Sequence, residues 1–572
     1  MTNPESRRYD LLFDKDVPVR MSDGTVLRAN VFRSDAAGQF PVIIAKGAYG
    51  KDVHFRDGYR PQWDRLKNFY TALDTEGTTG RFLWWETVDP ERWVPEGYVV
   101  IMVQSRGTGK SPGYLDPYSP AETNDYAEAI NWAGVQPWSN GKVGLIGVSY
   151  FATKQWKVAA LQPKHLAAMI PWEGCCDFYR EWSRHGGMRT RFPLVWWPRQ
   201  ILPNQHGNGA NTRLDPDTRK QPNGQPLSAE MLEGNRASFP DDILDHVLDD
   251  EWYRHSTPDF DLITVPLLSA GNWGGPGLHL RGNIEGFLAA ASPDKWLSVH
   301  IGTYFESFHM PDYVAMQKRF LDGYLKDIRN GWDDEPLVQI SVRRPDGAER
   351  RMEHEWPLAR TDWMKWFLDV DAASLGAAEP AASSVSYEAL GDGIDFSTPA
   401  FESEIEFTGP LMARLYVSSS ARDLDLFATL RLLDPNGEEV VFVGAHEPTL
   451  VTRGWLQASH RKLDPERTQS YRPYHSHDEI QKIAPGEVIE LDVEIWPTSI
   501  VCPVGYRLVL TLAGCDFEYD TPGRMLHNDS LDRPEAEFGG LNTIHTGIGM
   551  ASYLPLLTFP EAHAVAKRRS AG

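Results

Sequence analysis

The sequence predicts an α/β domain with a doubly wound sheet, interrupted by an inserted helical cap and followed by a C-terminal β-sandwich. Three observations carry this. Short β-branched apolar runs alternate with amphipathic stretches from the N-terminus to about Phe178. That rhythm breaks between about Phe178 and Asp259 and resumes at Leu262. Beyond about Pro336 helical periodicity gives way to short alternating segments. Compact apolar runs bounded by Gly or charge suit strands buried on both faces of a parallel sheet. Their alternation with helices argues for βα units.

Taken in order, residues 17–32 read as two strands around Ser22-Asp23-Gly24, because Asp-Gly between alternating apolar residues marks a tight hairpin. Strands are expected at 41–45, 98–103 and 143–146, with helices at 121–132 and 151–161. Further strands follow at 166–170, 265–270 and 296–301, with helices near 278–291 and 313–326. The intervening 178–259 stretch is rich in Arg, Trp, Pro and Asn, and its 207–225 section reads as a loop. An insertion there is expected to cover the C-terminal edge of the sheet, where α/β folds place their ligands. In the last third, strands are expected at 338–342, 366–370, 411–417, 425–433, 440–443, 488–495 and 506–512. Turns such as Pro435-Asn436-Gly437 and Pro485-Gly486 separate them, the spacing of a β-sandwich. The expected boundaries are therefore 1–178 and 260–335 for the α/β domain, 179–259 for the cap and 336–572 for the sandwich.

The 572 residues carry 57 Lys+Arg against 79 Asp+Glu, a net charge of −22. That balance argues against phosphate-backbone binding and against docking on anionic lipid. Four cysteines, two of them adjacent (Cys175, Cys176), cannot build a disulfide framework. The polar N-terminus shows no signal peptide, and no uninterrupted apolar stretch is long enough to span a bilayer. A soluble, cytoplasmic protein is therefore expected, without nucleic-acid or membrane partners. The run Gly107-Thr108-Gly109-Lys110-Ser111 brushes against a phosphate-binding loop, but Gln104 stands where that loop would open. His475-Ser476-His477-Asp478 lies in a Pro- and Tyr-rich loop without further spaced ligands and reads as a solvated loop, so no metal and no cofactor are expected.

The most informative segment runs from Gly144 to Phe151. A buried strand leads into Gly147-Val148-Ser149 and then into a helix, the context a nucleophile elbow needs. Gly147 allows close backbone approach, and the Tyr150 amide would face a developing oxyanion. Phe151 stands where that motif has a glycine.

At this point the chain resembles the X-prolyl dipeptidyl peptidase and cocaine-esterase group (CocE/NonD, S15-type) of α/β hydrolases. The resemblance rests on Arg20-Met21-Ser22-Asp23-Gly24, Gly47-Ala48-Tyr49-Gly50-Lys51, the run from Ser105 to Ser111, and Gly147-Val148-Ser149-Tyr150. It extends to the Gly454 to Arg461 block, Pro485-Gly486-Glu487 and Glu494-Ile495-Trp496-Pro497-Thr498. It implies an α/β-hydrolase domain and a C-terminal jelly roll. It also implies a Ser that attacks an ester or amide carbonyl, and a Tyr hydroxyl in the oxyanion hole, at Tyr49.

A serine nucleophile needs a base and an orienting acid. In the group it resembles, the acid follows the strand at 265–270 and the His follows the next strand. Here Gly274 falls at the place of that Asp, the usual Trp-Ser-His tail is missing, and Glu306 falls near the place of the His. His309, on the loop beyond the strand, is taken as the base ahead of His300, which reads as a core group. Glu173, between Trp172 and Gly174, is taken as the acid, with Glu306 as another candidate and Asp177 as a structural acid. The alternative for Glu173 is an ion pair with Arg180 or Arg184. Trp172, Trp182 and Trp273 are candidates for an aromatic substrate pocket. The expected reaction is hydrolysis of a small ester or amide through an acyl-enzyme on Ser149. Peptidase action, with Glu173 or Glu181 holding a free amino terminus, stays open beside it. So do acyl transfer on the same site, a binding protein of the same fold without the chemistry, and a homodimer.

Overall fold

The computed structural model describes residues 10–69, 78–211, 213–444, 448–519, 527 and 532–558. The Asp23-Gly24 turn closes the first hairpin, with Gly24 at φ 89°. There β1 (Leu11–Arg20) pairs antiparallel with β2 (Val26–Ser34), Arg20 opposite Val26. The central sheet continues through β3 (Phe40–Gly47), β4 (Val99–Gln104), β5 (Ser139–Val148) and β6 (Leu166–Trp172). It ends with β7 (Leu267–Asn272), β8 (Lys295–His300) and β9 (Val338–Arg344). In space the order is β1-β2-β4-β3-β5-β6-β7-β8-β9. From β4 onward every pair is parallel. All six residues of β4 are buried, as expected for a strand covered on both faces.

Helices α1 (Pro120–Gly134), α2 (Tyr150–Ala160), α3 (Leu280–Ala289) and α4 (Pro311–Lys326) flank the sheet. Ser119 caps α1 by accepting the Glu122 amide, and Pro120 fits the first turn, where a missing N–H costs nothing. The chain leaves β3 for β4 on one side and returns to β5 on the other. The crevice at that reversal is where open α/β sheets bind ligands. It brings together the loop after β3, carrying Tyr49, and the turn after β5, carrying Ser149.

Residues 178–259 are built of short pieces. Phe178–Ser183 forms a π-helical turn, Arg184–His185 and Met188–Arg189 pair as a small hairpin, and the helices Phe192–Trp196 and Phe239–Asp245 are brief. Pro193, Pro198, Pro203 and Pro240 explain why no helix grows longer there. The pieces share an aromatic core in which Phe178, Trp182, Trp196 and Phe239 are all buried.

In the C-terminal third, β10 (Ile405–Ser419) pairs antiparallel with the long strand Ile489–Cys502, from Ile405 opposite Cys502 to Val417 opposite Ile489. The strand Asp425–Leu433 lies between Thr452–Gln457 and Arg507–Ala513. A separate core of Leu415, Leu430, Leu491 and Leu510 fills this domain. β9 joins the two domains. The buried Arg343 guanidinium donates to the carbonyls of Val451 at 2.8 Å, Ser499 at 3.3 Å and Leu450 at 3.4 Å. Among the described residues, no helix is long and apolar enough to cross a membrane.

Candidate active site

β5 ends at Val148, and Ser149 turns the chain sharply into α2 with φ 56° and ψ −113°. A non-glycine residue there costs on the order of 1–3 kcal/mol and persists only where its surroundings over-determine it. The Ser149 amide is held by two carbonyls at the end of β6 and just beyond it, Trp172 at 3.1 Å and Glu173 at 3.0 Å. Close packing of Phe151 accounts for the glycines around the turn. A Cβ on Gly147 would lie 2.6 Å from the Phe151 Cβ, and one on Gly47 would lie 2.5 Å from the Phe151 ring. The ring thus covers the end of β3, and the bulk that the elbow motif avoids is accommodated by glycine on the neighbouring strand.

The first turn of α2 is anchored from below. The Tyr150 hydroxyl donates to both oxygens of the buried Glu122 carboxylate, at 2.7 and 2.9 Å. Lys154 pairs with the same carboxylate, and Lys46 lies 3.8 Å from it. Burial pushes the Glu122 carboxyl up, but the two ammonium groups outweigh it and hold it down at about 2. Burial in turn brings Lys154 down to about 7.

The imidazole that meets Ser149 is His279. Its Nε2 lies 3.0 Å from the Ser149 Oγ. It sits at the N-cap of α3, in the loop that follows β7, and is buried. The expectation for His309 is corrected here. Residues Tyr304–His309 form a helix rather than a loop, and the His309 ring packs edge-on against Phe308 at 5.0 Å. Burial lowers its pKa to about 3, so that ring is neutral, and it makes no hydrogen bond to Ser149.

Glu173 has a different imidazole partner from the one expected. Its Oε1 lies 2.7 Å from His300 Nε2, and neither side chain is exposed to solvent. Asn272 donates to the same oxygen at 3.3 Å, and burial raises the Glu173 carboxyl against the pull of His300. The alternative ion pairs do not form. Arg180 binds Asp177 at 2.9 Å and Asp249 at 2.7 Å, and Arg184 donates to the carbonyls of Gly187 and Ile243. Glu181 is engaged by Arg281 at 2.9 Å, and Glu306 accepts the Thr303 hydroxyl. The Gly274 amide donates to Asn272 Oδ1 at 2.8 Å, so the side chain of Asn272 organises the loop where an aspartate was sought.

Tyr49 lies beside the elbow, its ring 5.3 Å from Tyr150, and its hydroxyl accepts the Trp196 indole N–H at 2.7 Å. Of the three pocket tryptophans, Trp182 belongs to the aromatic cluster above the turn. It contacts Tyr118 at 5.5 Å, which in turn contacts Tyr150 at 5.0 Å. Trp172 and Trp273 do other work. Trp172 stacks on His300 at 4.9 Å, and Trp273 donates to the Ser341 carbonyl at 2.7 Å on the β9 side.

Two residues of the site escaped the reading of the sequence. His279 carries a legible signal, an imidazole at the start of the helix after β7, in the same loop searched for a carboxylate. Glu86 carries none. It holds φ 62°, is 3% exposed, and its carbonyl accepts the Val148 amide at 3.0 Å. Glu86, Ser149 and Glu173, all at positive φ, meet at this turn, and strain of this kind gathers at functional sites.

Outside this site, the Lys110 ammonium pairs with Asp16 at 2.5 Å and is engaged within the fold. His475 and His477 are buried rather than solvated, and the described residues hold no group of three or more His, Cys, Asp or Glu side chains arranged for a metal ion.

Comparison with known proteins places the chain. Residues 23–305 match the X-Pro dipeptidyl-peptidase (S15 family) model, and residues 330–555 match that of the X-Pro dipeptidyl-peptidase C-terminal non-catalytic domain. The chain is 24% identical to the cocaine esterase of Rhodococcus sp. (strain MB1 Bresler), over 95% of this chain and 97% of that protein. It is 24% identical to a putative Xaa-Pro dipeptidyl-peptidase of Bacillus cereus, over 75% and 72% of the two chains. The crystal structure of a CocE/NonD family hydrolase from Staphylococcus aureus superposes with a TM-score of 0.84 at 32% identity, covering 96% of this chain and 94% of that one. Fold, site and relatives together define a serine hydrolase with a catalytic domain and a C-terminal non-catalytic domain. The chain belongs to the CocE/NonD, X-Pro dipeptidyl-peptidase-like family.

Proposed function

We propose that this serine hydrolase is an esterase for carboxylic esters with an apolar acyl group, working through an acyl-enzyme on Ser149 with His279 as general base. The observation that carries the reading is the 3.0 Å approach of His279 Nε2 to the Ser149 hydroxyl, which is hydrogen-bond reach for proton abstraction. His279 takes the Oγ proton as Oγ attacks the carbonyl carbon, then returns it to the leaving alkoxide. Water repeats the cycle to release the acid. The Tyr150 amide and the Tyr49 hydroxyl take the oxyanion, and the Glu173–His300 pair holds the loop whose carbonyls fix Ser149.

The aromatic cluster of Tyr118, Phe178, Trp182 and Trp196 offers an apolar acyl site. Glu173 and Glu181, the carboxylates considered for a peptide amino terminus, are bound by His300 and Arg281, which favours the ester over the X-Pro peptide. Acyl transfer to an alcohol or amine would use the same acyl-enzyme with water excluded. The strand order, the short helices at 179–259 and the paired strands beyond 336 support an α/β-hydrolase domain with an inserted cap and a jelly-roll domain. The acidic surface fits a cytoplasmic protein acting on small molecules, as monomer or homodimer.

The test is labelling by a fluorophosphonate and turnover of p-nitrophenyl acetate. Ser149→Ala is expected to abolish both, and His279→Ala to lower kcat/KM by about 10²–10⁴. His309→Ala, in a protein that remains folded, is expected to stay within a few-fold of the parent. Loss of activity in His309→Ala with His279→Ala intact would overturn the assignment. A panel of aryl esters, aryl amides and X-Pro dipeptide amides then separates esterase from peptidase.

A further inference from the structure

Glu86 is a carboxyl group placed at the nucleophile without an assigned task. The 84–87 segment is wedged under the elbow. The Glu86 carbonyl binds the Val148 amide, Trp85 stacks on Tyr59 at 4.1 Å, and Trp84 packs on Phe32 at 5.2 Å. Its side chain is buried, and among the described residues Oε2 has no hydrogen-bond partner. The Trp85 indole, the Tyr150 amide and the Ser149 hydroxyl lie close enough to favour its ionised form, the Ser149 hydroxyl being itself within hydrogen-bond reach of His279. Tyr49 from the loop after β3, Tyr59 from the following turn and Tyr118 from the loop before α1 lie near enough to feel its charge. So does Glu173 from the loop after β6. His279 stands across Ser149, and Arg213 stands behind the Tyr59 ring. A carboxyl so placed shares the amide expected to hold the oxyanion.

We propose that Glu86 is a catalytic residue that works as a carboxylic acid, its O–H donating a hydrogen bond to the oxyanion beside the Tyr150 amide and the Tyr49 hydroxyl. The proposal rests on the Ser149 acyl-enzyme reading above. Burial, reinforced by Glu173, holds this carboxyl well above the usual carboxylate range against the pull of its donors. An ionised Glu86 would repel the oxyanion it faces, whereas a neutral one supplies a donor in a dry site, where donors aimed at developing charge matter most. In the step itself, His279 takes the Ser149 proton, the Oγ–C bond forms, and the carbonyl π pair moves onto oxygen. Glu86 keeps its proton throughout. When the tetrahedral species collapses the pair returns to re-form C=O, the bond to the leaving alkoxide breaks, and that oxygen receives the proton from His279.

The experiment measures kcat and KM for p-nitrophenyl acetate between pH 6 and pH 10, in the wild type, Glu86→Gln and Glu86→Ala. Circular dichroism and fluorophosphonate labelling of Ser149 accompany each variant. Wild-type activity is expected to fall on the alkaline side where Glu86 ionises. Glu86→Gln, which keeps an N–H donor without the ionisation, is expected to retain kcat within about tenfold and to lack that alkaline fall. Glu86→Ala is expected to lose about 10²-fold in kcat with KM within a few-fold. Wild-type kcat in Glu86→Ala would overturn the proposal, as would an inactive but folded Glu86→Gln or an alkaline fall that persists in Glu86→Gln. A wild type that no fluorophosphonate labels at Ser149 marks failure of the acyl-enzyme reading instead, a separate result.

Discussion

At the scale of single residues, the site is governed by which side chain fills the space beside a strained turn. Phe151 and Gly47 show this best. A methyl on Gly47 would meet the Phe151 ring at 2.5 Å, a clash that neither the strand nor the elbow can relieve cheaply. Gly47→Ala is therefore expected to cost about 1–3 kcal/mol of stability. Phe151→Ala in the same chain is expected to recover part of that cost, so that the two changes are non-additive in urea unfolding. Additive effects would show that the ring moves aside. Ser149 stood out in the sequence as a strand running into Gly-x-Ser, and Tyr49 through the resemblance carried by the Gly47 to Lys51 block. The partner of Ser149 was harder to pick out, because an imidazole at the helix start after β7 is visible but its meeting Ser149 depends on how far that remote helix start reaches across the sheet edge. Glu86 was invisible for the same reason: nothing near Trp84-Trp85-Glu86 announces that its backbone binds Val148.

At the scale of elements, apolar runs located nearly every strand of the central sheet, since a strand covered on both faces must be apolar throughout and needs no phase. The loops carried less information. Residues 304–309 curl into a helix that turns His309 inward onto Phe308, and His300 is drawn from the end of β8 to Glu173 across β7. Parallel strands on either side of a neighbour thus exchange partners at their C-terminal ends, and chain position alone does not say which. The Glu173–His300 pair is buried on both sides, so removing one member strands the other. His300→Ala is expected to destabilise the protein by about 3 kcal/mol, while Glu173→Gln, which keeps a hydrogen-bonding oxygen, is expected to leave p-nitrophenyl acetate turnover within about tenfold. Urea midpoints check the first and kinetics the second. A Glu173→Gln enzyme as inactive as Ser149→Ala would give Glu173 a direct part in the chemistry.

At the scale of the whole molecule, the 178–259 segment and the C-terminal domain are joined through buried charge. Arg180 donates to the carbonyl of His475 at 2.9 Å and Arg281 links Glu181 to Glu494, while within the C-terminal domain His460 lies 3.1 Å from His477. Burial, aided by Arg184, lowers His460 to about 3, and burial with Arg180 lowers His475 to about 4. Both rings are neutral in the fold and ordinary in the unfolded chain, where histidine titrates near 6.5. Between about pH 6.5 and 4 the unfolded state therefore binds more protons. Stability is complete above that window and is lost as pH falls through it, by about 2 kcal/mol per imidazole at pH 5. Asp425, raised by burial to about 7, titrates in the opposite sense, so the net slope of the parent protein mixes the two. The difference between parent and His475→Gln separates them. In urea unfolding the variant is expected to lose less stability than the parent between pH 7.5 and pH 5, the gap being about 2 kcal/mol by the same proton linkage. Equal losses would mean that His475 is reached by water and protonates within the folded interface.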